Sequence, residues 1–157
     1  TPGAAVDKVA AQGEKPTDAL TVAFERQLTA LVPLAEKPIA RTLRAALTGG
    51  MSPYVWSING ETFGRHRPLE VAAGERVVID MVNESMMAHP MHLHGHHFQV
   101  VGINGRSFGG AVRDTVLVPM GGTVSVAFDA DNQGRWPFHC HNLLHMATGM
   151  MTEIVYA

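Results

Sequence analysis

The sequence predicts an all-β domain, a sandwich or barrel built from short strands. From Thr42 onward, apolar segments of four to eight residues alternate with Gly and Pro signals, as strands and turns do. Several of these segments have period two: Val77, Ile79 and Met81 alternate with Val78, Asp80 and Val82, and Val124, Val126 and Phe128 alternate with small or polar partners. With 157 residues, 46% of them hydrophobic and 17% charged, the chain can bury a single core.

Taken in order, residues 1–16 form an Ala-rich lead punctuated by Pro2, Gly3, Gly13 and Pro16. Leu20, Phe24, Leu28 and Leu31 recur at helical spacing and predict one amphipathic helix from Thr17 that ends before Pro33. Residues 1–41 are therefore a lead and a helix, and 42–157 the β domain. Strands are expected at 42–48, 54–58, 68–72, 75–82, 97–103, 115–118, 123–129, 135–139 and 150–156. Asn142 to Ala147 reads as a short helical turn that swings His145 back toward Cys140 before Gly149 releases the chain.

Composition excludes several roles. A net charge of −2 offers no basic surface for nucleic acid, and no apolar run approaches a membrane span. A single cysteine excludes an internal disulfide. The start at Thr1 fits a processed export product or a piece cut from a longer chain.

That cysteine lies in His139-Cys140-His141, with His145 just beyond. Upstream stands His89-Pro90-Met91-His92-Leu93-His94, and all nine histidines except His66 fall within 89–97 and 139–145. In extended chain, neighbouring side chains point to opposite faces. His139 and His141 then project one way and Cys140 the other, so one segment can serve two metal centres. By the same parity His92 and His94 can join His139 and His141, while His89, held in an extended or turn conformation by Pro90, can join Cys140 and His145. Met150 falls five residues past His145, itself five past Cys140. Two imidazoles, a thiolate and a thioether are the ligand set of a blue-copper electron-transfer site. Zinc also takes Cys and His, but a lone cysteine among so many histidines, with methionine at the axial spacing, favours copper.

The segments His89-Pro90-Met91-His92-Leu93-His94-Gly95-His96 and His139-Cys140-His141-Asn142-Leu143-Leu144-His145, with Met150 beyond, resemble the last cupredoxin domain of multicopper oxidases, the group of laccases and bacterial copper-resistance oxidases. Tyr54 to Gly60, Arg113 to Val116 and Phe128 to Asn132 are similar to family segments, and the likeness covers roughly residues 42–157. It implies a cupredoxin-like Greek-key β-sandwich or barrel. It also implies type 1 copper at His89, Cys140 and His145 with Met150 as weak axial ligand, type 2 copper at His92, and type 3 copper at His94, His139 and His141. Cys140, His139 and His141 would carry the catalytic electron path. The expected activity is laccase-like: one-electron oxidation of a small reducing substrate, a phenol or a metal ion such as Cu(I), coupled to reduction of dioxygen to water. Periplasmic or secreted location follows from family and copper handling alone.

One departure from the family pattern matters. The family's trinuclear cluster takes eight histidines, four of them from a first domain with two further His-x-His motifs. Residues 1–88 contain only His66. The chain thus holds half a cluster, to be completed by a partner cupredoxin domain or by another copy in a homo-oligomer, dimer or trimer. Two other functions stay open: a single-domain blue-copper electron carrier, and a copper-binding or tolerance module without turnover. Met86, Met87, Met91, Met120, Met146, Met150 and Met151 cluster around the type 1 motifs. They read either as a soft surface that receives Cu(I) or as fillers of irregular core gaps. His66, His96 and His97 are assigned surface or hydrogen-bonding roles and no copper.

Overall fold

The computed structural model describes residues 22–157. Two β-sheets pack face to face. The first has seven strands: β1 (Arg41–Met51), β2 (Tyr54–Ile58), β4 (Arg76–Asn83), β6 (Phe98–Ile103), β7 (Arg106–Ser107), β8 (Val112–Arg113) and β10 (Thr123–Asp129). Its strand order is β2-β1-β4-β10-β6-β7, with β8 paired to β6. The second sheet has five: β3 (Leu69–Val71), β5 (His89–Leu93), β9 (Thr115–Val118), β11 (Arg135–Cys140) and β12 (Met151–Tyr156), in the order β3-β12-β11-β5-β9. One short helix, α1 (Leu143–Ala147), stands between β11 and β12.

The period-two pattern sets the inward faces. Val77, Ile79 and Met81 from β4 and Val124, Val126 and Phe128 from β10 are wholly buried against Met91, Leu93, Phe138 and Ile154 of the opposite sheet. Alternating residues of a strand lie on one face, so most strands contribute two or three side chains to the core between the sheets, whereas the two-residue β7 and β8 contribute none. All nine expected strands are present, with ends shifted by a few residues. The segment 89–93 was expected to be extended but not to be a sheet strand, and it becomes β5. Its histidines and proline hide the apolar alternation, which survives only at Met91 and Leu93.

The N-terminal expectation is corrected. Residues 1–16 and the first turn of the predicted helix, 17–21, lie outside the described residues. From Val22 onward the chain forms a single 3-10 turn, Glu25–Gln27, and Leu28 is already extended at φ −82° and ψ 139°. Phe24 is 69% exposed and Leu31 fully exposed, so the described part of the helical stripe is left largely uncovered, with Leu28 alone half-buried. A short helix without a packed face does not hold in water.

What the sheet captures instead is the extended run that follows Pro33. Leu34 N–H donates to Gln99 Oε1 (3.0 Å), and Lys37 pairs with Asp129 (3.1 Å). Buried Arg76 forks onto Asp129 at 2.8 and 2.9 Å and donates to the Ala35 carbonyl at 3.1 Å. Arg76→Leu breaks both links and leaves Asp129 to Lys37 alone. The expected cost is about 2 kcal/mol, read as a lower urea midpoint with unchanged slope.

Candidate metal centres

Strand pairing builds the site. β5 and β11 run antiparallel with Phe138 opposite Leu93, His139 opposite His92 and Cys140 opposite Met91. Directly opposed residues share a face. His92 and His139 therefore meet on the outer side, while Cys140 and Met91 point into the core, both wholly buried. His89, two residues before Met91, is on the inward face as well and has no exposed surface.

His145 reaches the same place from α1. Asn142 caps this helix, its side-chain oxygen accepting from Leu144 N–H at 3.2 Å. The single turn throws His145 inward, fully buried. Gly149 then adopts φ +130°, where any side chain is strained and a Cβ would stand 2.6 Å from the Trp56 carbonyl. The chain closes on itself beyond it: Met150 N–H donates to the His145 carbonyl (3.0 Å), and Cys140 N–H to the Met150 carbonyl (3.1 Å). Met150 is wholly buried.

The first group is His89, Cys140 and His145, whose donor atoms all lie within 4.8 Å of one another. Cys140 Sγ is 3.7 Å from Nδ1 of both His89 and His145, and the two Nδ1 atoms are 3.1 Å apart. A trigonal centre with metal–nitrogen bonds of about 2.0 Å and a metal–sulfur bond of about 2.3 Å separates nitrogen from sulfur by about 3.7 Å. The donor set fits a metal ion.

Hydrogen bonds fix which nitrogen of His89 is free. Asn83 is buried, and its amide nitrogen donates to the carbonyls of Met87 (2.7 Å), Val118 (3.1 Å) and Pro119 (3.1 Å), so its Oδ1 is the acceptor. The Ser85 hydroxyl donates to that oxygen at 2.8 Å and is then the acceptor for His89 Nε2–H at 2.6 Å. His89 Nδ1 is left as a lone pair facing Cys140. Such outer partners orient a ligating imidazole and set its tautomer.

The second group is His92, His94 and His139. His92 Nδ1 stands 2.9 Å from the Asp114 carbonyl and 2.9 Å from Thr115 Oγ1; since the carbonyl only accepts, Nδ1 carries the proton and Nε2 is free. His139 Nδ1 donates to the Cys140 carbonyl at 3.0 Å, again freeing Nε2, which lies 3.0 Å from Nε2 of His94. His141 stands beside this group but outside its convergent donors: its ring lies 5.7 Å from His92 and 6.0 Å from His139. His94 and His141 are exposed, so the second group opens on the surface whereas the first is sealed.

Burial favours the neutral form of four of these imidazoles and of the thiol. It lowers the pKa of His89 to about 4, with a smaller contribution from His145, and lowers those of His94, His139 and His145. The Cys140 thiol is pushed up to about 11 by burial. Neutral imidazoles present lone pairs, whereas the thiol must lose its proton to a bound metal. Copper affinity of the first group is expected to rise about tenfold per pH unit between pH 5 and 8, one proton leaving Cys140 per copper. Below pH about 4, protonation of His89 adds a second competing proton and steepens the loss. Titration with copper at several pH values reads both slopes.

The remaining histidines keep to hydrogen bonding and packing. His96 is buried, 2.7 Å from the Tyr156 hydroxyl; His66 stacks on Phe63; His97 is exposed. Among the methionines, Met91 and Met150 are buried, and Met86, Met87 and Met120 are exposed. Sequence reasoning missed Asn83 and Ser85, which orient His89. The only signal for Ser85 was its place four residues before His89.

Residues 36–157 match the multicopper oxidase family. The chain belongs to that family. It is 42% identical over 114 residues to the multicopper oxidase MmcO of Mycobacterium tuberculosis, covering 73% of this chain and 22% of that protein. Copper resistance protein A of Escherichia coli is 40% identical, again over 73% of the chain and 18% of the relative. The chain thus spans about one fifth of the curated relatives it matches and corresponds to the C-terminal cupredoxin domain of a multicopper oxidase. Among solved structures, McoA of Aquifex aeolicus superposes with a TM-score of 0.66 at 32% identity, over 79% of this chain and 32% of that one. The blue copper oxidase of Nitrosomonas europaea shares the fold, with a TM-score of 0.71 at 24% identity over 75% of this chain and 44% of its own. The two-sheet sandwich is of cupredoxin type, and the two donor groups of this multicopper oxidase domain are consistent with copper.

Proposed function

We propose that the chain is a copper-dependent oxidoreductase domain that takes single electrons from a reducing substrate at the buried group and delivers them to a trinuclear cluster where dioxygen is reduced to water. The unit that does this is the cupredoxin domain, residues 42–157, preceded by 1–41. His89, Cys140 and His145 would hold type 1 copper with Met150 axial, His92 type 2 copper, and His94, His139 and His141 type 3 copper. Bound copper supplies one-electron cycling with little rearrangement.

The chain's own residues supply the rest. The observation that carries this reading is that Cys140 belongs to the sealed group while its neighbour His139 belongs to the open one. One peptide unit, reinforced by the hydrogen bond from His139 Nδ1 to the Cys140 carbonyl, links the two donor sets. The buried sheet face excludes water from the thiolate, and the Asn83–Ser85 pair orients His89.

The open group has three convergent histidines with His141 beside them, and it needs a covering surface. A second or third copy of this chain, or a partner cupredoxin domain, would bring the remaining ligands; exposure of His94 and His141 supports this. Substrates of the expected class are phenols or reduced metal ions, and the site of action is the periplasm or outside the cell. The test is copper per chain, measured at the native oligomeric mass together with oxygen uptake. Clearly more than one copper per chain, in a discrete oligomer that consumes oxygen, is the expected result. About one copper per chain, with blue colour and no oxygen uptake, would establish an electron-transfer domain instead.

A further inference from the structure

We infer that Trp56 is a positioning residue for the buried centre, acting by stacking on His145; this rests on the copper reading of His89, Cys140 and His145. Trp56 lies on β2, in the sheet opposite the ligand strands, and is 1% exposed. Its ring stacks on His145 with centroids 4.1 Å apart and planes 24° from parallel. The same ring meets His89 edge-on at 5.3 Å and 67°. One indole therefore borders both imidazoles of the sealed group.

The two histidines differ in what else holds them. His89 sits on a sheet strand, and its outer nitrogen is 2.6 Å from the Ser85 hydroxyl. His145 sits on a five-residue helix, too short to be rigid alone, and among the described residues its outer nitrogen has only the Asn142 amide, at 3.4 Å. The flat face of Trp56 is the firm surface against which that ring can rest.

Trp56 is itself fixed. Gly49 on β1 adopts φ +136°, and a Cβ there would stand 2.8 Å from Trp56 Cε3 and 2.5 Å from the Val55 carbonyl. The strand thus approaches the indole as only glycine permits. Tyr54 meets the indole edge-on at 5.9 Å. The Trp56 indole N–H is buried without a hydrogen-bond partner among the described residues. An orphan donor is costly, so a position that needed only volume would be served better by phenylalanine or leucine. What tryptophan adds is the extended ring plane that His145 covers.

The test compares Trp56→Phe, which keeps an aromatic plane, with Trp56→Leu, which keeps apolar volume alone, in the 157-residue chain. Far-UV spectra and thermal midpoints of the copper-free proteins establish that both fold. On loading with Cu(II), the Leu variant is expected to show a shifted and weakened thiolate-to-copper band, an altered reduction potential and roughly 10–100-fold weaker copper binding, the range for outer partners of a ligating histidine. The Phe variant is expected to recover most of all three.

A band, potential and affinity unchanged in both variants would overturn the inference while leaving the copper centre intact. Absence of the band in the wild type would overturn the centre and the inference with it. Should the Leu variant not fold, the diamagnetic Cu(I) form of the wild type decides by NMR. His145 ring protons shifted upfield by the indole support the stack, and unshifted ones refute it.

Discussion

Cys140→Ser is expected to abolish the intense visible band of the copper-loaded chain and to empty the buried group. The thiolate is the only anionic donor there, with Sγ 3.7 Å from both imidazole nitrogens. A hydroxyl at the same position is a far weaker donor to a soft metal. Losing a direct ligand costs more than losing an outer partner, so affinity at this group should fall by well over about 100-fold. The fold should survive, because Ser differs little in volume and Asn83, Ser85 and Trp56 are untouched. Histidines 92, 94 and 139 lie on the other face of the strand pair and should retain their metal. Copper counting with visible spectroscopy checks both halves. A blue band of normal intensity in the serine variant would show that the thiolate is not a ligand.

His94→Ala has the complementary effect. His94 is exposed, takes no part in the sealed group, and meets His139 through Nε2 at 3.0 Å. Its removal should leave the visible band as it is and change stability by no more than about 0.5 kcal/mol, as surface substitutions do. Oxygen uptake by the assembled enzyme should fall by at least about 100-fold, because the open group keeps too few donors to hold its metal. An oxygen electrode and the visible spectrum, measured on one sample, separate the two groups. Full oxidase activity in the alanine variant would remove His94 from the cluster. The pair of variants thus divides the functions that the Cys140–His139 peptide joins.

Much of this was legible in one dimension. The parity of His92 and His94 against His89, and of His139 against Cys140, sorts the donors onto two faces before any coordinates exist, because a strand has a period of two residues. The antiparallel pairing of β5 with β11 keeps that sorting and places His139 opposite His92. The strand pattern was equally readable wherever apolar residues alternate, and it faded only at β5, where histidines occupy the outward positions.

The N-terminal helix shows the converse. Leu20, Phe24, Leu28 and Leu31 satisfy a helical period, yet periodicity states only which side would be apolar, not whether anything waits to cover it. In the described part of that stretch Phe24 and Leu31 stay uncovered, and the chain is drawn out over the ends of β4, β6 and β10 by Arg76, Gln99 and Asp129 instead. Those partners lie 41 to 92 residues away, beyond the reach of any local pattern.

By itself, then, the sequence determined which residues are the candidate donors, their division between two faces and the β architecture, because these follow from residue chemistry and from the strand's own geometry. Only the tertiary structure decided that one group is sealed and the other open, which nitrogen of His89, His92 and His139 is free, and that Asn83, Ser85 and Trp56 stand against the donor residues. Burial, tautomer and stacking depend on residues brought together from separate strands and both sheets, and such contacts exist only once the sandwich has closed.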